Sequence, residues 1–285
     1  MSNLGRALLA EFVGTASLLA VVIGSGIMGE RLSSSNPAVA LLANSIATGL
    51  ALYVLITIFG PISRSHFNPI VTFAAVVNRE FTLRLAFEYC FVQLCGAIAG
   101  VWLAHAMFAL PILQTSEHVR TGIGQWVSEA VATAGLLLTI GGCTRFARAQ
   151  TAAAVGAYIA AAYWFTASTS FANPAVTVAR AMSDTFAGIR PSDAPGFIVG
   201  QIAGMAIGWS RFGCCSGEPL SSRELAHIRH RAPPYSRAQQ LNPRNRIAPT
   251  RLRRAHNHKR PAEASRPCLR HLPRITCAGD DVRSR

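Results

Sequence analysis

Two asparagine–proline pairs are the residues of this chain best placed to do chemistry. They sit in His66-Phe67-Asn68-Pro69-Ile70-Val71-Thr72-Phe73-Ala74 and in Ser170-Phe171-Ala172-Asn173-Pro174-Ala175-Val176-Thr177-Val178-Ala179-Arg180. Asparagine is a favoured helix N-cap, and proline fits the first helical position because its missing N–H costs nothing there. Each pair therefore predicts a helix opening at Asn, the first ending near Val77 and the second near Ser183. A helix of that length rises roughly 16 Å, about half of the ~30 Å hydrocarbon core of a bilayer. Two half-length helices set among long apolar runs predict a pore built from inverted repeats. The chemistry on offer is electrostatic. Half-helix N-termini carry partial positive charge, and two of them facing one another raise a barrier to protons and cations. A third pair, Asn36-Pro37-Ala38, is read as an ordinary turn.

The elements that must position these pairs are apolar spans. The first is predicted over Leu4 to Met28 and carries Glu11 near its start; the second runs from Val39 to Phe59, where Gly60-Pro61 breaks it. The third runs from Leu83 to Leu110, stopped by Pro111, and the fourth from Gly124 to Gly142, carrying Glu129. The fifth covers Thr151 to Ala167, and a last apolar run covers Pro195 to Trp209. An acidic residue inside a span is costly, so Glu11 and Glu129 are expected to face the interior as structural anchors.

The order repeats. Glu11-Phe12-Val13-Gly14-Thr15 echoes Glu129-Ala130-Val131-Ala132-Thr133, the two Asn-Pro segments echo each other, and Gln93-x-x-Gly96-x-x-x-Gly100 echoes Gln201-x-x-Gly204-x-x-x-Gly208. Three spans per half place the second copy upside down relative to the first. The small residues let helix backbones approach closely. Arginines favour a cytoplasmic N-terminus: Arg6, Arg64, Arg79, Arg84, Arg145 and Arg148 fall on one side, while Arg31, Arg120, Arg180 and Arg190 on the other each have an acidic neighbour.

Composition agrees with one membrane domain, at 51% hydrophobic residues over 285. The net charge of +14 belongs almost wholly to the last quarter, because residues 1–209 hold ten Arg against eight acidic residues. No cleavable leader is evident, since the first apolar run continues as a span. The seven cysteines form no disulfide framework and no zinc spacing. No catalytic set, cofactor site or metal site emerges.

Over roughly residues 4–209 these motifs resemble the aquaporin (major intrinsic protein) family. The resemblance implies an all-α membrane protein, a six-span bundle of two inverted repeats with two re-entrant half-helices meeting at the midplane. It implies a passive channel in a plasma or inner membrane, with no enzymatic activity, assembled as a homotetramer in the lipid bilayer. Asn68 and Asn173 would then offer side-chain N–H donors to a permeant, beside Pro69, Ile70, Pro174 and Ala175. Ile70 stands where the family usually has Ala, and either narrows the midplane or is a harmless apolar change. Matching by distance from the two motifs places Thr48, Ala161, Ser170 and Val176 at the outer constriction. The family's water and glycerol channels usually have Arg where this chain has Val176. A ring without Arg, His or an aromatic is wider and less charged, which suits small uncharged solutes: glycerol-like polyols, arsenous acid and water. It is similar to the bacterial branch associated with arsenic resistance. On this basis Arg180 is read as structural.

The sixth span is cut short. Gln201 is followed by only eight residues to Trp209, and the chain then turns Arg-, Pro- and His-containing over residues 210–285. The domain expectation is therefore a channel unit at 1–209 and a basic tail at 210–285, disordered or translated in another frame. Three function classes stay open: a channel for small neutral solutes or for water alone, a channel with an added nucleic-acid- or lipid-binding tail, and a defective channel product. Nucleic acid is not expected as a partner.

Overall fold

A computed structural model of the chain describes residues 2–34 and 36–214, with side chains to 208. The expectations for a basic or frameshifted tail lie outside the described residues from 215 onward. Eight α-helices follow in order: α1 (Asn3–Leu32), α2 (Pro37–Ser63), α3 (Pro69–Val77), α4 (Leu83–Met107), α5 (Ile123–Phe146), α6 (Thr151–Phe165), α7 (Pro174–Arg180) and α8 (Ala194–Cys214). No strand occurs among the described residues. Helices α1, α2, α4 and α5 are long and apolar enough to cross a membrane. Large apolar side chains cover their outer faces, among them Leu50, Phe91 and Val131, as a lipid-facing surface requires.

Two halves of like construction pack by the same rule. In the first, α1 lies against α2 and α4; in the second, α5 lies against α6 and α8. The echoed glycines explain the close pairs. A Cβ at Gly96 would run into the Phe12 carbonyl oxygen, and one at Gly204 into that of Ala130. Both half-helices reach across to the other half, α3 touching α8 and α7 touching α4, so neither half closes without its partner.

The boundaries differ from the sequence reading where capping and turn geometry override composition. Helix α2 runs through Pro61 and stops at Ser63, because a proline so near the C-terminus forfeits only one late hydrogen bond. Arg64 then takes a left-handed conformation with φ 72°, its N–H bonded to Gly60 O. Asn36, read as part of a turn, caps α2 instead: its Oδ1 accepts from the N–H groups of Ala38 and Val39. Helix α8 does not end at Trp209. Its 21 residues reach Cys214, past the apolar run that ends at Trp209.

Candidate functional site

The site is built on the two asparagines. Asn68 Oδ1 accepts the Ile70 N–H at 2.9 Å, and Asn173 Oδ1 accepts those of Ala175 and Val176 at 3.0 and 3.3 Å. These caps open α3 and α7 with Pro69 and Pro174 at the first turn, as the sequence predicts. The amide nitrogens then cross between the halves. Asn68 Nδ2 donates to Ala172 O at 2.7 Å, and Asn173 Nδ2 donates to Phe67 O at 2.8 Å. The half-helices thus meet end to end. An amide carries two N–H donors, and no second acceptor for either Nδ2 occurs among the described residues. Both asparagines line a cavity of about 950 Å³.

The loops that aim these groups are held in sparsely populated backbone. Ser65 and Phe67 before Asn68, and Ser170 and Ala172 before Asn173, all have φ between 47° and 51°. Such residues cost of order 1–3 kcal/mol each and persist only where the surroundings fix them. Two buried carboxylates do so. Glu11 accepts from Ser63 Oγ and the His66 N–H through Oε1, and from the Phe67 N–H and Gln93 Nε2 through Oε2. Glu129 accepts from Ser168 Oγ and the Phe171 N–H through Oε1, and from the Ala172 N–H and Gln201 Nε2 through Oε2. The two glutamines also donate to Thr72 and Thr177, tying each half-helix to α4 or α8.

At one end of the cavity stand Arg64, Glu80, Arg148 and Thr151; at the other, Thr48, Tyr163, Ser170, Val176 and Arg180. The first end is fastened by an Arg64–Glu80 ion pair at 2.7 Å. Thr48, Ser170 and Val176, three of the four residues expected at a constriction, are buried and line the cavity at the second end. The Ser170 and Ser65 hydroxyls are buried and have no hydrogen-bond partner among the described residues, although both residues border the cavity.

Ala161, the fourth, is not among the residues that line the cavity. It is exposed on α6, whose cavity-lining positions are Thr151, Ala152, Val155, Ile159 and Tyr163. Counting back a fixed distance from Asn173 assumes one loop length, whereas helical periodicity of α6 turns Tyr163 inward and Ala161 out. The Tyr163 hydroxyl lies 3.3 Å from Thr48 Oγ1, and both residues line the cavity. Ile70 and Ala175 are buried but do not line the cavity; Val71 does. The bulk of Ile70 therefore goes into packing, not into the lumen. Ser65, Tyr163 and Arg180 were missed as lumen residues. For Ser65 the signal was available, since it occupies the position in the first half that Ser170 occupies in the second.

Comparison with known proteins agrees with this fold. The family described as Major intrinsic protein matches residues 1–151. Aquaglyceroporin AqpS of Rhizobium meliloti (strain 1021) is 52% identical over 202 residues, covering 71% of this chain and 86% of AqpS. Aquaporin TIP1-1 of Zea mays is 32% identical over 140 residues, and the match spans 55% of that protein and 47% of this chain. Among solved structures, the aquaglyceroporin from Plasmodium falciparum superposes with a TM-score of 0.58 at 21% identity, over 76% of this chain and 97% of that one. At that identity the likeness speaks for the fold alone.

Proposed function

This chain belongs to the major intrinsic protein family, whose members are membrane channels and not enzymes, and from that premise we propose that it conducts glycerol-like polyols and arsenous acid passively. One observation carries the reading. Asn68 and Asn173 reach to each other's loops, and each keeps one N–H without a protein acceptor among the described residues, on a residue that lines the cavity. A hydroxyl-bearing neutral solute can accept those donors while the facing helix N-termini disfavour a cation. Val176, in place of a cation, leaves an apolar wall for the carbon side of a polyol. The name of AqpS, an aquaglyceroporin, supports the polyol reading.

Water is the second reading, favoured by Tyr163, whose hydroxyl beside Thr48 makes the ring narrower than four small residues would. The chain is proposed to act as a homotetramer in the inner membrane with its N-terminus in the cytoplasm. Proteoliposomes holding the full chain test the permeant. Glycerol and arsenous acid uptake well above that of empty vesicles supports the reading, and water flux alone replaces it with the second.

A further inference from the structure

The α7 position left without a charge by Val176 has an arginine one turn away. Val176 and Arg180 are four residues apart, which puts them on one face of α7, roughly 6 Å apart along its axis. Both line the cavity. Arg180 is only 2% exposed. Its Nε donates to Ala187 O, and its Cζ lies 3.4 Å from the Phe171 ring centroid, where the ring face attracts a cation. Among the described residues no carboxylate pairs with it. Nor does either terminal nitrogen have a protein acceptor there. Those nitrogens are not sealed off, because the buried atoms without partners include none from Arg180.

Arg120 makes a useful contrast. Its Cζ lies 5.4 Å from the same ring centroid, and it spends its donors on loop carbonyls, Nε on Gly188 O and one terminal nitrogen on Phe186 O. That is how a guanidinium fastens a loop. Arg180 gives one bond to the loop, and its terminal nitrogens keep no protein acceptor among the described residues on a side chain that borders the cavity. A guanidinium stays charged, and a buried charge without a counter-ion is costly, so its placement on the cavity wall calls for a use there.

We propose that Arg180 is the fixed cation of this pore, displaced by one turn of α7 away from Asn173. It repels cations at the end of the cavity that holds Thr48 and Tyr163. It also offers its free nitrogens to the oxygen of a neutral solute before that solute reaches Val176. Selection against charge is thereby kept while the ring at Val176 stays uncharged. The inference rests on the channel reading above.

Urea and guanidinium have nearly the same planar shape and differ in charge, so their permeability ratio isolates the cation barrier. Proteoliposomes of the full chain are assayed for glycerol, urea and guanidinium. Arg180→Ala is expected to raise the guanidinium-to-urea ratio at least about tenfold, a modest share of what one fixed charge contributes at close range. Arg180→Lys keeps the ratio near wild type. The double variant Val176→Arg, Arg180→Ala brings it back down, which restored loop packing alone cannot do. Where Arg180→Ala does not fold, Arg180→Gln takes its place, since the amide still supplies a donor for Ala187 O. An unchanged ratio in the neutral variant overturns the inference, as does wild-type protein that passes guanidinium as readily as urea. Wild type that passes no neutral solute overturns the channel reading, and this inference with it.

Discussion

Glu129 repeats the contacts of Glu11 oxygen for oxygen. In each, Oε1 takes a serine hydroxyl and one loop N–H, while Oε2 takes the next loop N–H and a glutamine amide. The two carboxylates are fully buried, and the N–H groups they collect belong to the residues just before Asn68 and Asn173. Fold and site meet in these two side chains: each one fixes the strained loop that aims a half-helix.

Replacement of Glu129 by glutamine turns one acceptor oxygen into a donor facing N–H groups that cannot rotate away. Leaving such buried N–H groups without their acceptor costs about 1–3 kcal/mol. At about 2–4 °C per kcal/mol for a domain of this size, Glu129→Gln lowers the detergent melting temperature by at least about 2 °C. Glu11→Gln behaves alike. A melting temperature within a degree of wild type for both variants sinks the anchoring role.

Asn173→Asp keeps the oxygen that caps α7 but loses both amide donors, and it sets a carboxylate against Phe67 O. Asn68→Asp does the same against Ala172 O. Each lost donor leaves a buried carbonyl unpaired, at about 1–3 kcal/mol. Glycerol flux in proteoliposomes is expected to fall by about tenfold or more while expression persists. Unchanged flux in both variants means that the pore lies elsewhere.

Val176→Arg places a guanidinium on the lumen face of α7, beside Ser170 and Tyr163. The ring becomes smaller and charged, so glycerol and arsenous acid uptake drop more than water permeability. Parallel assays on one vesicle preparation read this directly. Equal loss of all three permeants points to simple blockage and counts against selectivity at this position.

Asp193 ties the loop before α8 to the loop before α5. Its carboxylate accepts from the Arg120 N–H and pairs with Arg190 at 2.9 Å. Burial alone would raise its pKa, but these hydrogen bonds and the Arg190 charge outweigh it and hold the carboxyl below its ordinary value. A depressed folded-state pKa contributes stability that is present above the ordinary value, about 3.9, and is lost as pH falls through the lower folded one. Limited proteolysis of the two loops should therefore rise below about pH 4. The Asp193→Asn protein should be cut faster already at neutral pH, with little further change on acidification. Equal cutting of variant and wild type at neutral pH refutes the link.

The sequence by itself determined the spans, the inverted repeat and the half-helices, because each rests on local chemistry. Asn-Pro caps, apolar runs of membrane length and glycines four apart act through neighbours a turn away. Glu11, Glu129, Gln93 and Gln201 were legible as paired elements, though not as one network, since their common partners are loop N–H groups from other segments. Tertiary structure alone decided which side chains face the lumen. Ala161 and Tyr163 differ by two residues on one helix, and only the docking of α6 on α2 turns the tyrosine to Thr48 and the alanine outward. Arg180 is the same case. Its spacing from Val176 was readable in the chain, but its place beside Phe171, with one bond to Ala187 and its side chain bordering the cavity, exists only once the loops have closed over α7.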